Sequence, residues 1–278
     1  MVERPDILLE FDAVDYSYPL SEMPAIQNLS LQLTAGQKTA LIGQNGCGKS
    51  TLFLLADGLC RANRGVIKSR GLPLRHDRVA LNQWRQRVGL VFQDPEQQLV
   101  APTVAADVSY GLCNLELPEA EIAQRVEQVL HQFGLSELAM RPLHQLSLGQ
   151  KKRVSLAGVM ALRPELLLLD EPTAYLDPIQ TRQFLAALTQ IEAEGTTLLI
   201  ATHDLDFVYR WADWLLVMDQ GRLLLEGTPE QVFSRPDLLE LGLGLPLLKQ
   251  IWDSLPADLR QGQSPPRTLE QLRLAIRP

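Results

Sequence analysis

Paired cysteines are missing from this 278-residue sequence. Cys47, Cys60 and Cys113 form an odd set with no CxxC spacing, which excludes a disulfide framework and fits a reducing compartment. The four histidines, His76, His131, His144 and His203, lack ligand spacing and suggest no structural metal. No apolar run approaches the roughly 20 residues needed to cross a bilayer. The opening "MVERPDILLEF" carries charges where a secretory leader needs an apolar centre. Basic excess is absent as well. Twenty-six Lys and Arg stand against 33 Asp and Glu, a net charge of −7, which argues against a binder of nucleic-acid phosphates. Long heptad runs, internal repeats and low-complexity tracts are also lacking. The expectation is a cytosolic chain without a nucleic-acid partner.

What is present is ordinary in bulk, 46% hydrophobic and 21% charged, and long enough for one large domain carrying a smaller one. Five short apolar runs read as strands buried on both faces: 39–42, 88–92, 166–169, 196–201 and 214–218. Helical patterns alternate with them. From Pro118 to Phe133 an apolar stripe runs through Ile122, Val126, Val129 and Leu130, with Gly134 as a stop. Ser147 to Arg163 reads as a helix ending before Pro164. Asp177-Pro178 reads as the N-cap and first turn of another. This alternation predicts an α/β domain with a mainly parallel core sheet. The stretch from about 93 to 157 interrupts it and is expected to be an inserted helical subdomain. The main domain is expected over 1–230 and a small, mostly helical extension over 231–278, with a flexible joint at "GQSPPRT" (262–268).

Two motifs carry chemistry. "GQNGCGKST" (43–51) lies between a strand and a helix, the context that G-x-x-x-x-G-K-[ST] requires. Gly43, Gly46 and Gly48 let the backbone wrap closely around phosphates, and the helix start adds partial positive charge. Lys49 is expected to reach the β and γ phosphates, and Ser50 to offer its hydroxyl to Mg²⁺. Cys47 adds only its backbone, or else its alkylation blocks nucleotide entry. "LLLLDEP" (166–172) is a buried strand ending in two carboxylates. Asp170 is the candidate for holding Mg²⁺, and Glu171 for taking a proton from the attacking water.

With these motifs and "LSLGQKKRV" (146–154) in order, the sequence resembles the ATP-binding cassette (ABC) ATPases over most of residues 5–230. The resemblance implies a P-loop fold with an N-terminal antiparallel β region and a head-to-tail homodimer. ATP would lie between one copy's phosphate loop, including Asn45 and Thr51, and the other's signature residues Ser147, Gly149 and Gln150. Leu148 departs from the usual glycine there. Tyr18, with Tyr16 as the competing choice, matches the aromatic that stacks on adenine. Asp177 matches the loop that communicates across the dimer, His203 the γ-phosphate contact, and Gln93 the Q-loop residue near Mg²⁺ and the attacking water.

The wording of 92–115 and 221–233 is similar to energy-coupling-factor (ECF) importers, most of all to the cobalt-import ATPase; nickel or vitamin cargo stays open. The implied partners are a transmembrane coupling protein and a substrate-binding membrane subunit, with the chain peripheral on the cytoplasmic membrane face. The alternative class is a soluble ABC ATPase acting on nucleic acid or ribosomes. Glu96, Gln97 and Gln98 are expected near a basic element of the coupling protein. The apolar segment 238–248 is expected to be buried on the chain's own core or on a second copy.

Overall fold

The computed structural model describes residues 6–115, 117–260 and 262–276. The chain opens with two antiparallel strands, β1 (Ile7–Tyr16) and β2 (Ile26–Thr34), followed by β3 (Thr39–Ile42) and helix α1 (Lys49–Ala56). Next come β4 (Arg64–Ser69), the short β5 (Leu72–Pro73), α2 (Arg78–Arg85) and β6 (Val88–Val91). Helices α3 (Val104–Cys113), α4 (Glu119–Gln132) and α5 (Leu148–Met160) fill the interval before β7 (Leu166–Asp170). The alternation then resumes with α6 (Pro178–Ala193), β8 (Thr197–Ala201), α7 (Leu205–Trp211) and β9 (Trp214–Asp219). The hairpin strand β10 (Arg222–Gly227) follows, then α8 (Pro229–Phe233), α9 (Leu247–Ser254), α10 (Ala257–Arg260) and α11 (Leu269–Ala275).

The strands form two sheets. One is antiparallel in the order β2-β1-β4-β5, and the other runs β10-β9-β3-β8-β7-β6. In the second, β9, β3, β8, β7 and β6 are mutually parallel and β10 is an antiparallel edge. The five parallel strands are the five apolar runs read from sequence. They are apolar throughout because alternate residues enter two different cores. Leu41, Leu166, Leu168, Leu199 and Leu216 face a layer shared with α1 and the antiparallel sheet. Ile42, Leu167, Leu169, Ile200 and Val217 face the helical layer of α3 to α7. Burying each leucine contributes about 1.5–3 kcal/mol, so both faces of the sheet are strongly specified.

Helix α4 ends where Gly134 turns left-handed, at φ +62°. Ser147 is the N-cap of α5, whose regular helix stops at Met160; a turn carries the chain to Arg163, which leaves the right-handed region at φ +56° before Pro164. Asp177 caps α6, accepting from the amides of Ile179 and Gln180 at 2.8 Å each.

The 262–268 segment differs from the expected flexible joint. Pro266 is buried, and Arg267 Nε donates to the Tyr209 carbonyl at 2.7 Å while its second nitrogen donates to that of Ala212. These are last-turn carbonyls of α7, which lack helical partners, so a cationic donor finds two acceptors in one place. In 238–248, Leu238 is fully buried, and Leu243, Leu245 and Leu248 pack on the helical core of the same chain. Among the described residues no helix is long and apolar enough to cross a membrane.

Candidate functional site

Strand β3 delivers the chain into the loop 43–48, and α1 carries it away. Gly48 occupies the N-cap with φ +110° and no side-chain cap. A Cβ there would lie 2.8 Å from the Ala25 carbonyl oxygen, so only glycine lets the loop close on its neighbour. The first amides of α1 are thus left without side-chain partners, aimed out of a helix start with partial positive charge. Lys49 is buried and its ammonium donates to the carbonyls of Gly43 (2.8 Å) and Gln44 (3.1 Å), folding it against its own loop. The Cys47 thiol is 4% exposed, and burial pushes its pKa up. It fills the underside of the loop.

The two strand-end carboxylates meet this loop. Ser50 Oγ donates to Asp170 Oδ2 at 2.6 Å. Burial pushes the Asp170 carboxyl up, while the Ser50 bond pulls it back. Glu171 is also buried; one carboxylate oxygen pairs with His203 Nδ1 at 2.9 Å, and the other accepts from Thr202 Oγ1 at 3.1 Å. Its backbone is left-handed at φ +43°, a conformation rare outside glycine. The imidazole of His203 is itself mostly exposed.

A cavity of about 430 Å³ collects these groups. Tyr18, Asn45, Gly46, Gly48, Lys49, Ser50, Thr51, Gln93, Asp170 and Glu171 all line it, with Ala25. Tyr18 is 40% exposed, with its hydroxyl 3.1 Å from Thr51 Oγ1. Tyr16 meets it edge-on from within the core, the ring centroids 5.0 Å apart. Tyr16 does not reach the cavity, and a hydrogen bond with Cys60, together with burial, pushes its hydroxyl up to about 12. The wall is polar and cationic on the loop side and carboxylate-bearing on the strand side, which suits a phosphate chain with a counter-cation.

Ser147, Gly149, Gln150 and Asp177 are not on this wall. Ser147 and Gln150 form a reciprocal capping box, Ser147 Oγ accepting from Gln150 N at 3.3 Å and Gln150 Oε1 from Ser147 N at 2.9 Å. Gly149 is buried against Gln180; a Cβ would lie 2.7 Å from its amide carbon. Asp177 is exposed. One copy therefore brings together the loop, the strand-end carboxylates, Gln93 and His203, but not the α5 start.

Several neighbours were not anticipated. Gln44 Nε2 donates to the Leu241 carbonyl at 2.9 Å, joining the loop to the C-terminal segment. Gln98, expected to face a partner, turns inward: its Oε1 accepts from Phe92 N at 3.1 Å and its Nε2 donates to Ser155 O at 3.4 Å. Glu96 is exposed but already pairs with Lys151 at 2.5 Å. Lys152 is buried beneath Glu171, and its signal was a basic residue on the face of α5 that also carries Gly149, Ser155 and Leu156.

Comparison with known proteins follows the same outline. A family model described as ABC transporter matches residues 26–174. A Nostoc sp. chain named as an ABC transporter ATP-binding protein is 58% identical over 246 residues, covering 88% of this chain and 90% of its own. The energy-coupling factor transporter ATP-binding protein EcfA of Carboxydothermus hydrogenoformans is 40% identical over 254 residues, covering 91% and 93%. Among solved structures, cbiO1 of Clostridium perfringens, part of the ABC transporter complex cbiONQ, is 39% identical with a TM-score of 0.73. It covers 84% of this chain and 94% of its own.

Proposed function

Because the chain belongs to the ABC transporter family, we propose that it is the ATP-hydrolysing motor of an energy-coupling-factor importer, with cobalt as the cargo. The observation that carries the motor reading is Glu171, held by Thr202 and His203 at the wall of the phosphate-loop cavity.

In this reading the free amides of the loop and of α1 take the phosphates, with Lys49 leaving its two carbonyls to meet the β and γ groups. Tyr18 stacks on adenine, and Asn45 and Thr51 complete the cradle. Ser50 Oγ, Asp170 Oδ2 and the Gln93 amide are hard oxygen donors, and the first two already lie within one coordination shell of each other. They fit Mg²⁺, which when bound neutralises phosphate charge. Glu171 accepts the proton of the water that attacks the γ-phosphorus, and His203, as the imidazolium, donates from Nδ1 to Glu171 and from Nε2 to a γ-phosphate oxygen.

Ser147, Gly149 and Gln150 then serve a second copy. They lie outside their own chain's cavity, and α5 starts at an exposed serine. Two chains pair head to tail, each lending its signature to the other's ATP, with Asp177 near the seam. Glu171, His203 and the signature are all intact in this sequence, which supports a symmetric homodimer with two working sites. Closure and opening would drive a transmembrane coupling protein, with a separate membrane subunit holding the cargo, from the cytoplasmic face.

ECF-type coupling is supported by the name of the Carboxydothermus relative, and the cobalt cargo rests on the sequence resemblance to the cobalt-import ATPase alone. Co-reconstitution with candidate membrane subunits tests both parts. Radiolabelled Co²⁺ uptake that requires ATP and is lost in Lys49→Ala is the expected result. Nickel or vitamin uptake without Co²⁺ uptake would replace the cargo, and ATPase activity stimulated by nucleic acid in the isolated chain would replace the motor reading.

A further inference from the structure

A buried ammonium sits behind the catalytic carboxylate, on the side away from the cavity. Lys152 is 2% exposed, on the third residue after Gly149 along α5. Its Nζ donates to the Glu171 carbonyl at 3.2 Å and to the Pro172 carbonyl at 3.0 Å. Burial pushes the ammonium down to about 8, against the opposing pull of Glu171, Asp94 and Asp170. Such burial disfavours a charged amine, so what the amine does at this position must offset it.

Glu171 leaves β7 in a left-handed turn. Its amide stays tied to the sheet through the Ala201 carbonyl at 2.8 Å. Beyond the ladder its carbonyl accepts from the Ala174 amide at 3.1 Å as well as from Lys152, while the Pro172 carbonyl meets Lys152 at 3.0 Å. Left-handed backbone at a non-glycine residue persists only where its surroundings over-determine it. The side chain of Glu171 is fixed from the front by Thr202 and His203, and its backbone from behind by Lys152. One turn further along the same face of α5, the Ser155 carbonyl accepts from Gln98, whose other atom holds the Phe92 amide just before Gln93. Helix α5 therefore braces both the strand-end carboxylate and the start of the Gln93 loop.

We infer that Lys152 is a positioning residue: by holding the Glu171 and Pro172 carbonyls it fixes the carboxylate for attack, and it ties that carboxylate to the helix whose start serves the other copy's ATP. The inference rests on Glu171 being the base proposed above. It gives the chain a direct mechanical link between the site it owns and the site it completes.

The test is steady-state ATP hydrolysis by the full-length Lys152→Met, Lys152→Gln and Glu171→Gln proteins, alongside ATP binding and thermal unfolding. Lys152→Met keeps length and loses the donors; Lys152→Gln restores a donor. Lys152→Met is expected to lower kcat by about tenfold or more, the equivalent of one charge-assisted hydrogen bond. KM and ATP affinity should stay within about twofold, and Lys152→Gln should recover most of the loss. In the Glu171→Gln background Lys152→Met should cost nothing further. A wild-type kcat in Lys152→Met, or a loss that Lys152→Gln does not relieve, overturns the inference. If Lys152→Met does not fold, Lys152→Ala takes its place, and failure of both to fold assigns the lysine to stability alone and overturns it equally. Hydrolysis at the wild-type rate by Glu171→Gln would instead sink the reading of Glu171; its loss there, with Lys152→Met unaffected, sinks only the present inference.

Discussion

Gly89 on β6 governs how closely α5 approaches the sheet. It is buried, paired in register with Leu167, and a Cβ built on it would lie 2.4 Å from Val159 Cγ1 and 3.2 Å from Pro164 Cγ. Carbon atoms in contact prefer about 3.5–4.0 Å, so Gly89→Ala must push the C-terminal end of α5 outward by roughly 1 Å. Overpacking of this kind costs about 1–3 kcal/mol. The smaller entropy of an unfolded alanine returns about 0.4–1 kcal/mol, leaving a net loss of between about 0 and 2.6 kcal/mol. Val159→Ala removes the obstructing methyl; at a half-buried position it should cost about 1 kcal/mol alone. Together the two should restore contact, with a coupling of about 1 kcal/mol or more in the stabilising direction. Urea unfolding of the four proteins measures this cycle. Additivity within about 0.5 kcal/mol would refute the reasoning, because it would mean the methyl and the Cβ never meet.

Arg267→Met should destabilise the chain by about 2–4 kcal/mol, since it strands the Tyr209 and Ala212 carbonyls that the guanidinium now satisfies; a loss under about 0.5 kcal/mol in chemical denaturation would contradict that docking. Asp57 is buried and its carboxyl is pushed up to about 7 by burial, with Arg85 pulling the other way. The folded state thus holds a proton that the unfolded chain releases, a contribution fully present below about pH 4 and lost as pH rises through about 7. Urea midpoints should fall across that window in the wild type and flatten in Asp57→Asn; parallel profiles would refute the assignment. Maleimide should label the exposed Cys113 on the order of 100-fold faster than the buried, raised-pKa Cys47. Equal rates by peptide mass mapping would contradict the closed loop.

Much of the core was legible because its signals are local. The parallel strands read as unbroken apolar runs since both faces are covered, and the caps at Ser147 and Asp177 are chemistry within three residues. The two-residue β5 carries no such run, and the three leucines of the edge strand β10 form only a short one that alternates in exposure and is flanked by charge. The choice between Tyr16 and Tyr18 needed the fold, because both sit at the end of one strand and only tertiary packing puts one inside. Gln98 and Arg267 look like surface residues in any local window, and Lys152 is marked only by its place on the buried face of α5. Their roles arise from carbonyls 19 to 58 positions away, and helical spacing, even where it places Lys152 inside, does not name those partners. Likewise the apolar 238–248 segment announced that it must be covered, but not that Gln44 of the phosphate loop would be among its contacts.

In the proposed motor, ATP closes between two copies of this chain, the loop of one facing the α5 start of the other. Sedimentation of Glu171→Gln with and without Mg-ATP tests it most directly, since blocked hydrolysis preserves the closed state. The variant should be a monomer without nucleotide and a dimer with it, and should return to monomer when Ser147→Arg is added. A Glu171→Gln protein that binds ATP yet remains monomeric at high protein concentration would contradict it.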